Sequence, residues 1–158
     1  MIAKPLYIFD IDGTMALIGH RVHFLEEVNN PNRWREFYAA CDKDEPNMPI
    51  IRVMESLRIT GADIWFFSGR SEEVRDKTIK WLSDNTSFMS HDLIHEPILT
   101  MREEGDYTAD NELKESWLHG MLIEDIDRIV AVFDDRDKVV DMWRLNNITC
   151  FQVADGNF

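Results

Sequence analysis

Five short apolar runs, residues 6–9, 64–67, 98–101, 129–133 and 149–153, alternate along this chain with segments of helical periodicity. Each run is rich in Ile, Val and Phe and is bounded by polar or turn-forming residues, the pattern of a strand buried on both faces. Between them, residues 49–59 carry Ile50, Val53, Met54 and Leu57 at helical spacing, with Pro49 suited to a first turn and Gly61 just past the end. Residues 71–84 open on Ser71 as an N-cap, followed by Glu72 and Glu73, acidic groups that favour the positive end of a helix dipole. Residues 110–123 (Leu113, Trp117, Leu118, Met121) and 135–146 (Val139, Val140, Trp143) complete the set. Strands alternating with helices predict an α/β, three-layer architecture with a central parallel sheet. Trp81, Trp117, Met142 and Trp143 read as core. Residues 18–47 are less regular, with a short helix after Asn30-Pro31 through Tyr38 and Ala39, and read as a small lid. With no repeat and no Pro/Gly/Ser-rich linker, residues 1–158 read as one domain.

Ligands of such sheets bind beyond the carboxyl ends of the strands. The first run leads into Asp10-Ile11-Asp12-Gly13-Thr14, two carboxylates two residues apart with a glycine that permits a sharp turn. The fourth ends in Asp134-Asp135, which a parallel sheet brings to the same edge. Carboxylates that close raise one another's pKa unless a cation neutralises them, so the set predicts a hard divalent ion on oxygen ligands, Mg2+ best of all. One aspartate then stays ionised as ligand or nucleophile, while a neighbour off the metal keeps a proton and acts as an acid. The second run ends in Ser68-Gly69-Arg70, a hydroxyl, an approachable backbone and a planar guanidinium suited to phosphate. Lys114 adds a further positive charge. Taken singly, Asp-x-Asp-Gly is ordinary turn chemistry, Ser-Gly-Arg a helix cap, Lys114 a surface lysine, Arg21 a surface residue and Arg102-Glu103-Glu104 a charged turn. It is their ordered combination, with acidic and phosphate-binding groups at strand exits, that points to phosphoryl chemistry.

Charge narrows the partners. Thirty Asp and Glu against 17 Lys and Arg give a formal charge of −13, which excludes a non-specific nucleic-acid coat but not a small, locally basic phosphate site. No apolar run approaches the roughly 18 residues of a membrane span, and Met1-Ile2-Ala3-Lys4-Pro5 lacks the features of a signal peptide, so no membrane partner and a cytoplasmic location are expected. Cys41 and Cys150 have no metal-ligand spacing and read as reduced packing residues; His20 and His23 read as surface or lid positions.

Asp10-x-Asp12-Gly-Thr14, Ser68-Gly-Arg70, Lys114 and Asp134-Asp135 resemble the four motifs of the haloacid dehalogenase superfamily of phosphotransferases, which implies a Rossmann-like fold with a minimal cap. The resemblance implies that Asp10 attacks phosphorus to form an aspartyl-phosphate, and that Asp12 protonates the leaving oxygen and then deprotonates the hydrolytic water. It further implies that Ser68 and Lys114 hold the phosphoryl oxygens, with Thr14 and Gly69 beside them. Mg2+ would lie on Asp10, the backbone carbonyl of Asp12, and Asp134 with or without Asp135. Arg102-Glu103-Glu104-Gly105-Asp106, Asp134-Asp135-Arg136 and the tail from Cys150 to Phe158 resemble the 3′-phosphatase domain of bacteriophage polynucleotide kinase-phosphatases. In that family, arginines after Asp-x-Asp-Gly-Thr and in Ser-Gly-Arg assist the chemistry, and Arg21 and Arg70 occupy those places; Arg102 is a candidate substrate contact. Two departures stand out. No Gly-x-x-x-x-Gly-Lys-[Ser/Thr] loop occurs in these residues, so the resemblance does not extend to a kinase. Ser71 also enters a helix directly, where phage members often carry a longer segment.

The expected function is a magnesium-dependent phosphomonoesterase acting on 3′-phosphorylated DNA or RNA ends or 3′-nucleotides, in nucleic-acid repair and, if phage-encoded, in the host cytoplasm. Two alternatives remain open: a phosphatase of 5′-nucleotides or other small phosphomonoesters, and a non-catalytic module that binds phosphorylated ends.

Overall fold

The computed structural model describes residues 3–157; Met1 and Ile2 of the N-terminal stretch and Phe158 of the tail motif lie outside them. In chain order the elements are β1 (Leu6–Phe9), β2 (Ala16–Leu17), α1 (His23–Glu26), α2 (Arg33–Ala39), β3 (Glu45–Pro46), α3 (Met48–Ile59), β4 (Asp63–Ser71), α4 (Arg75–Asn85), α5 (Ser90–Leu93), β5 (Leu99–Arg102), α6 (Asp110–Gly120), α7 (Ile123–Ile126), β6 (Ile129–Asp134), α8 (Asp137–Leu145) and β7 (Cys150–Gln152). Five strands form one parallel sheet in the order β5-β4-β1-β6-β7, while β2 and β3 pair separately and antiparallel. The α/β, three-layer prediction therefore holds.

The period of two along each strand divides the core. Leu6 and Ile8 of β1, with Trp65 and Phe67 of β4, face Leu118, Val139, Val140 and Trp143 of α6 and α8. Phe9, Ile64 and Phe66 face the opposite layer of Ile51, Met54, Ile79 and Leu82 from α3 and α4. Trp81, Met142 and Trp143 are buried as expected, Trp117 partly so, and both cysteines are free and buried. Among the described residues, no helix is long and apolar enough to cross a membrane.

Local boundaries differ in three places. The buried face of α3 runs through Ile51 and Met54, whereas Val53 is 41% exposed, so the apolar stripe is rotated from the expected one. Ser71 does not open a long helix: β4 continues to Ser71, a 3-10 turn spans Glu72–Val74, and α4 begins at Arg75. Ser71 still caps that turn, its Oγ accepting the Glu73 amide. The helix expected over residues 110–123 ends at Gly120, and α7 forms a separate turn.

Candidate active site

The sheet order puts β1 between β4 and β6, so the residues leaving these three strands converge. The β1–β6 ladder extends one step beyond the strand, with the Asp10 amide donating to the Phe133 carbonyl at 2.9 Å. The chain then turns tightly, the amides of Thr14, Met15 and Ala16 all donating to the Ile11 carbonyl. Gly13 at φ +83° makes this turn possible, and a Cβ there would overlap the Asp135 carboxylate. Asn47 pins the turn from outside, its side chain donating to the Thr14 carbonyl at 2.8 Å and its amide to Met15 at 2.7 Å.

Two buried ion clusters result. In the first, the carboxylates of Asp10, Asp134 and Asp135 offer oxygens within 4.8 Å of one another, and can together hold a metal ion. Lys114, 1% exposed, bridges two of them, its Nζ donating to Asp10 Oδ1 at 2.7 Å and Asp134 Oδ2 at 2.8 Å. Asp134 Oδ1 also accepts the Arg136 amide, and Thr14 Oγ1 lies 3.5 Å from Asp135 Oδ1. Burial pushes the Asp10 carboxyl well above its ordinary 3.8; Lys114 offsets this only in part, and Asp134 and Asp135 add to it. Burial and Asp134 push Asp135 up to about 6.

In the second cluster, Asp12 Oδ1 accepts hydrogen bonds from Arg21 and Arg70, both at 2.7 Å. Both guanidiniums are fully buried, and both also donate to Asp44, Arg21 through Nε and Nη2 and Arg70 through Nη2, each at 2.7 Å. His20 Nε2 lies 2.8 Å from Asp44 Oδ1. Burial works to raise the Asp12 pKa, but Arg70 and Arg21 outweigh it and hold the carboxyl below 3.8.

Every expected site residue thus falls in one neighbourhood, in two ranks. Asp10, Asp12, Gly13, Gly69, Arg102 and Asp135 line a cavity of about 740 Å3. Ser68 and Lys114, expected to face the phosphoryl group, are buried; Ser68 Oγ accepts the Arg70 amide at 3.2 Å. The Asp12 carboxylate faces arginines, so its side chain stands apart from the three-carboxylate group. Arg102 ties the rim together, donating to the carbonyls of Gly69 and Thr108 and to Asp110.

Sequence reasoning missed Asp44 and Asp110. Asp110 touches Arg102 at 3.1 Å and Lys114 at 3.6 Å, and Gly69 has no room for a Cβ against it. Its place four residues before Lys114, on one helix face, is a readable signal. Asp44 has none, because its partners lie 23 and 26 residues away.

A parallel sheet carrying paired aspartates at its central strand exit, with a lysine buried behind them, is the arrangement of haloacid dehalogenase-type phosphatases. Residues 4–158 match the model of the polynucleotide kinase PNKP phosphatase domain, and the chain belongs to that family. A chain in the structure of the Pnkp1/Rnl/Hen1 RNA repair complex is similar over 100% of this chain and 45% of its own length, with 28% identity and a TM-score of 0.76. The "Putative bifunctional polynucleotide kinase/RNA ligase" of Autographa californica nuclear polyhedrosis virus is 29% identical over 147 residues, 92% of this chain. The chain spans only 19% of that viral relative. The class C acid phosphatase of Bacillus anthracis shares the fold at 19% identity and a TM-score of 0.56, over 88% of this chain and 54% of its own.

Proposed function

We propose that this chain is a magnesium-dependent phosphatase of nucleic-acid 3′ ends and 3′-nucleotides, working through a phosphoryl group carried on Asp10. The observation that carries the reading is the opposite electrostatic setting of two aspartates two residues apart, both lining one cavity. Relatives named for polynucleotide kinase and RNA repair favour ends, RNA among them, as the substrate.

Asp10, Asp134 and Asp135 would hold Mg2+: three buried carboxylates against one ammonium leave two negative charges for a divalent cation to neutralise. When bound, the ion keeps Asp10 ionised and offsets charge on the transferred phosphoryl group. An Asp10 oxygen attacks phosphorus, and the bond from phosphorus to the 3′ oxygen breaks. Asp12, ionised in the free protein, has to receive a proton before it can donate one, and a phosphomonoester entering as its monoanion carries that proton in. Asp12 passes it to the leaving oxygen and, again a carboxylate, takes a proton from the water that attacks the aspartyl-phosphate. Inorganic phosphate leaves, the proton taken from water passes from Asp12 to the departing phosphate, and both aspartates are restored as carboxylates. Arg21 and Arg70 are positioning residues that act through Asp12, and Asp44 holds both.

The test is phosphate release from matched oligonucleotides with a 3′- or 5′-phosphate and from the corresponding mononucleotides, with Mg2+ or with chelator. Release from the 3′ substrates with metal is expected. Equal or faster release from 5′-phosphates overturns the 3′ assignment, and undiminished release in chelator overturns the metal requirement.

A further inference from the structure

The cavity over Asp10 and Asp12 is larger and less polar than phosphate binding alone requires. Its wall away from the carboxylates comes from Val22 and Leu25 in and beside α1, and from Trp34, Phe37 and Tyr38 of α2. Trp34 is only half-buried: it meets Phe37 edge-on and Tyr38 at a tilt, both with ring centroids 6.0 Å apart, which leaves indole surface to the cavity. Tyr107, 79% exposed, lines the same cavity from the loop before α6. A second, smaller cavity of about 270 Å3 shares Trp34, Tyr38, Arg102 and Tyr107 with the first, so these aromatics stand where the two spaces adjoin.

Charge argues against a track for a polyanion there. The second cavity carries Glu73, Glu103, Glu104 and Asp106, and Glu26 and Asp106 line the first. Arg102 already donates to three carbonyls and one carboxylate, and Arg35 pairs with Glu73. A nucleic-acid backbone running this way would meet carboxylates. A nucleobase would meet an aromatic face, and every base offers a π surface for stacking whatever its identity.

We propose that Trp34, with Tyr107 as a second aromatic surface, is the stacking platform for the base of the terminal phosphorylated nucleotide. The substrate class is therefore a nucleoside phosphate or a single-stranded end read one nucleotide deep, with little dependence on base identity or chain length. This assignment rests on the phosphatase reading above for its kinetic test, but it is also a binding claim in its own right. It makes Trp34 and Tyr107 specificity-determining residues, remote from the reacting atoms.

The experiment compares a nucleoside 3′-monophosphate with the same sugar 3-phosphate lacking its base, using the full chain with Mg2+. In the unaltered protein, KM for the base-less compound should be about tenfold higher, with kcat changed much less. Trp34→Ala should bring the KM ratio of the two compounds towards unity, and Trp34→Phe should restore most of it. Tyr107→Ala should narrow the ratio by a smaller factor. Equal KM for both compounds in the unaltered protein, or a ratio untouched by Trp34→Ala, overturns the assignment. If Trp34→Ala does not fold, the substrate pair and Trp34→Phe decide alone. If neither compound is hydrolysed, the phosphatase reading is what has failed, and calorimetric titration of the two compounds still tests the platform. About tenfold tighter binding of the nucleotide supports it, and equal binding overturns it.

Discussion

Asp10 and Asp12 are two residues apart and chemically identical, yet they belong to buried ion clusters of opposite character. Around Asp10, Lys114 bridges two of three clustered carboxylates, and burial leaves their protons held too tightly. Around Asp12, two carboxylates meet two guanidiniums in a closed ring of short hydrogen bonds, and Asp12 gives up its proton readily. The difference lies in which strand exits and loops each side chain faces. A cluster short of positive charge can take up a cation, and a neutral one can serve, in the proposed mechanism, as a rigid frame for a single proton carrier.

The largest effect should come from the cation-poor side. Asp10→Asn keeps the shape and a partner for Lys114 but removes the proposed nucleophile, and should lower turnover by more than about a thousandfold. Circular dichroism and the melting temperature check that the fold persists. Turnover within tenfold of the unaltered protein, in a folded variant, refutes the role given to Asp10.

Next is a stability contrast that separates the clusters directly. Asp44→Ala leaves two fully buried guanidiniums to share the Asp12 carboxylate and should destabilise the protein by about 3–5 kcal/mol in urea unfolding, the usual consequence of breaking a buried pair. Asp135→Asn removes one negative charge from a cluster that has too many. With chelator present near pH 7 it should stabilise the protein by about 1–3 kcal/mol, given a carboxyl pushed up to about 6. Loss of stability from both substitutions would erase the distinction.

The two clusters also predict opposite pH slopes. Asp10, Asp134 and Asp135 hold protons more tightly folded than unfolded, so in chelator the folded state binds more protons above the ordinary carboxylate value of 3.8. Their contribution to stability is therefore full below 3.8 and lost as pH rises, for Asp135 through about 6. Asp12, held below 3.8, contributes stability that is present above that value and lost as pH falls through its lower folded pKa. Mg2+ should abolish the first slope and leave the second. Melting curves across acid pH, with and without the ion, measure both.

How much of this was legible in the chain depends on whether a residue's partners are set by a strand or by a loop. Asp10, Ser68 and Asp134 follow apolar runs whose pairing in a parallel sheet brings their ends together, so period and alternation sufficed. Arg21 was named only through the resemblance; a loop arginine gives no hint that it will be 0% exposed. Asp44 was unreadable because its role exists only once residues 18–47 fold back over β4, and nothing local distinguishes it from the neighbouring Asp42. The expectation that a carboxylate off the metal keeps its proton also met a partner that could not be read. It rested on crowding among acids, but around Asp12 it is burial that works to raise the pKa, and the two arginines outweigh it.

The smallest effect tests whether the ring around Asp12 needs its outermost member. His20 Nε2 reaches Asp44 Oδ1 at 2.8 Å, but the imidazole side chain is 38% exposed, while Arg21 and Arg70 already supply three hydrogen bonds to the same carboxylate. A partly solvated contact to an already neutralised group contributes little, so His20→Ala should cost less than about 1 kcal/mol of stability. Turnover should change by no more than a small factor, since Asp12 keeps both guanidiniums. A loss as large as that of Asp44→Ala would mean that the imidazole, and not the arginine pair, holds Asp44 in place. The frame around the proton carrier would then extend into the region between β1 and α1, a boundary that measured stabilities of the single and double variants would locate.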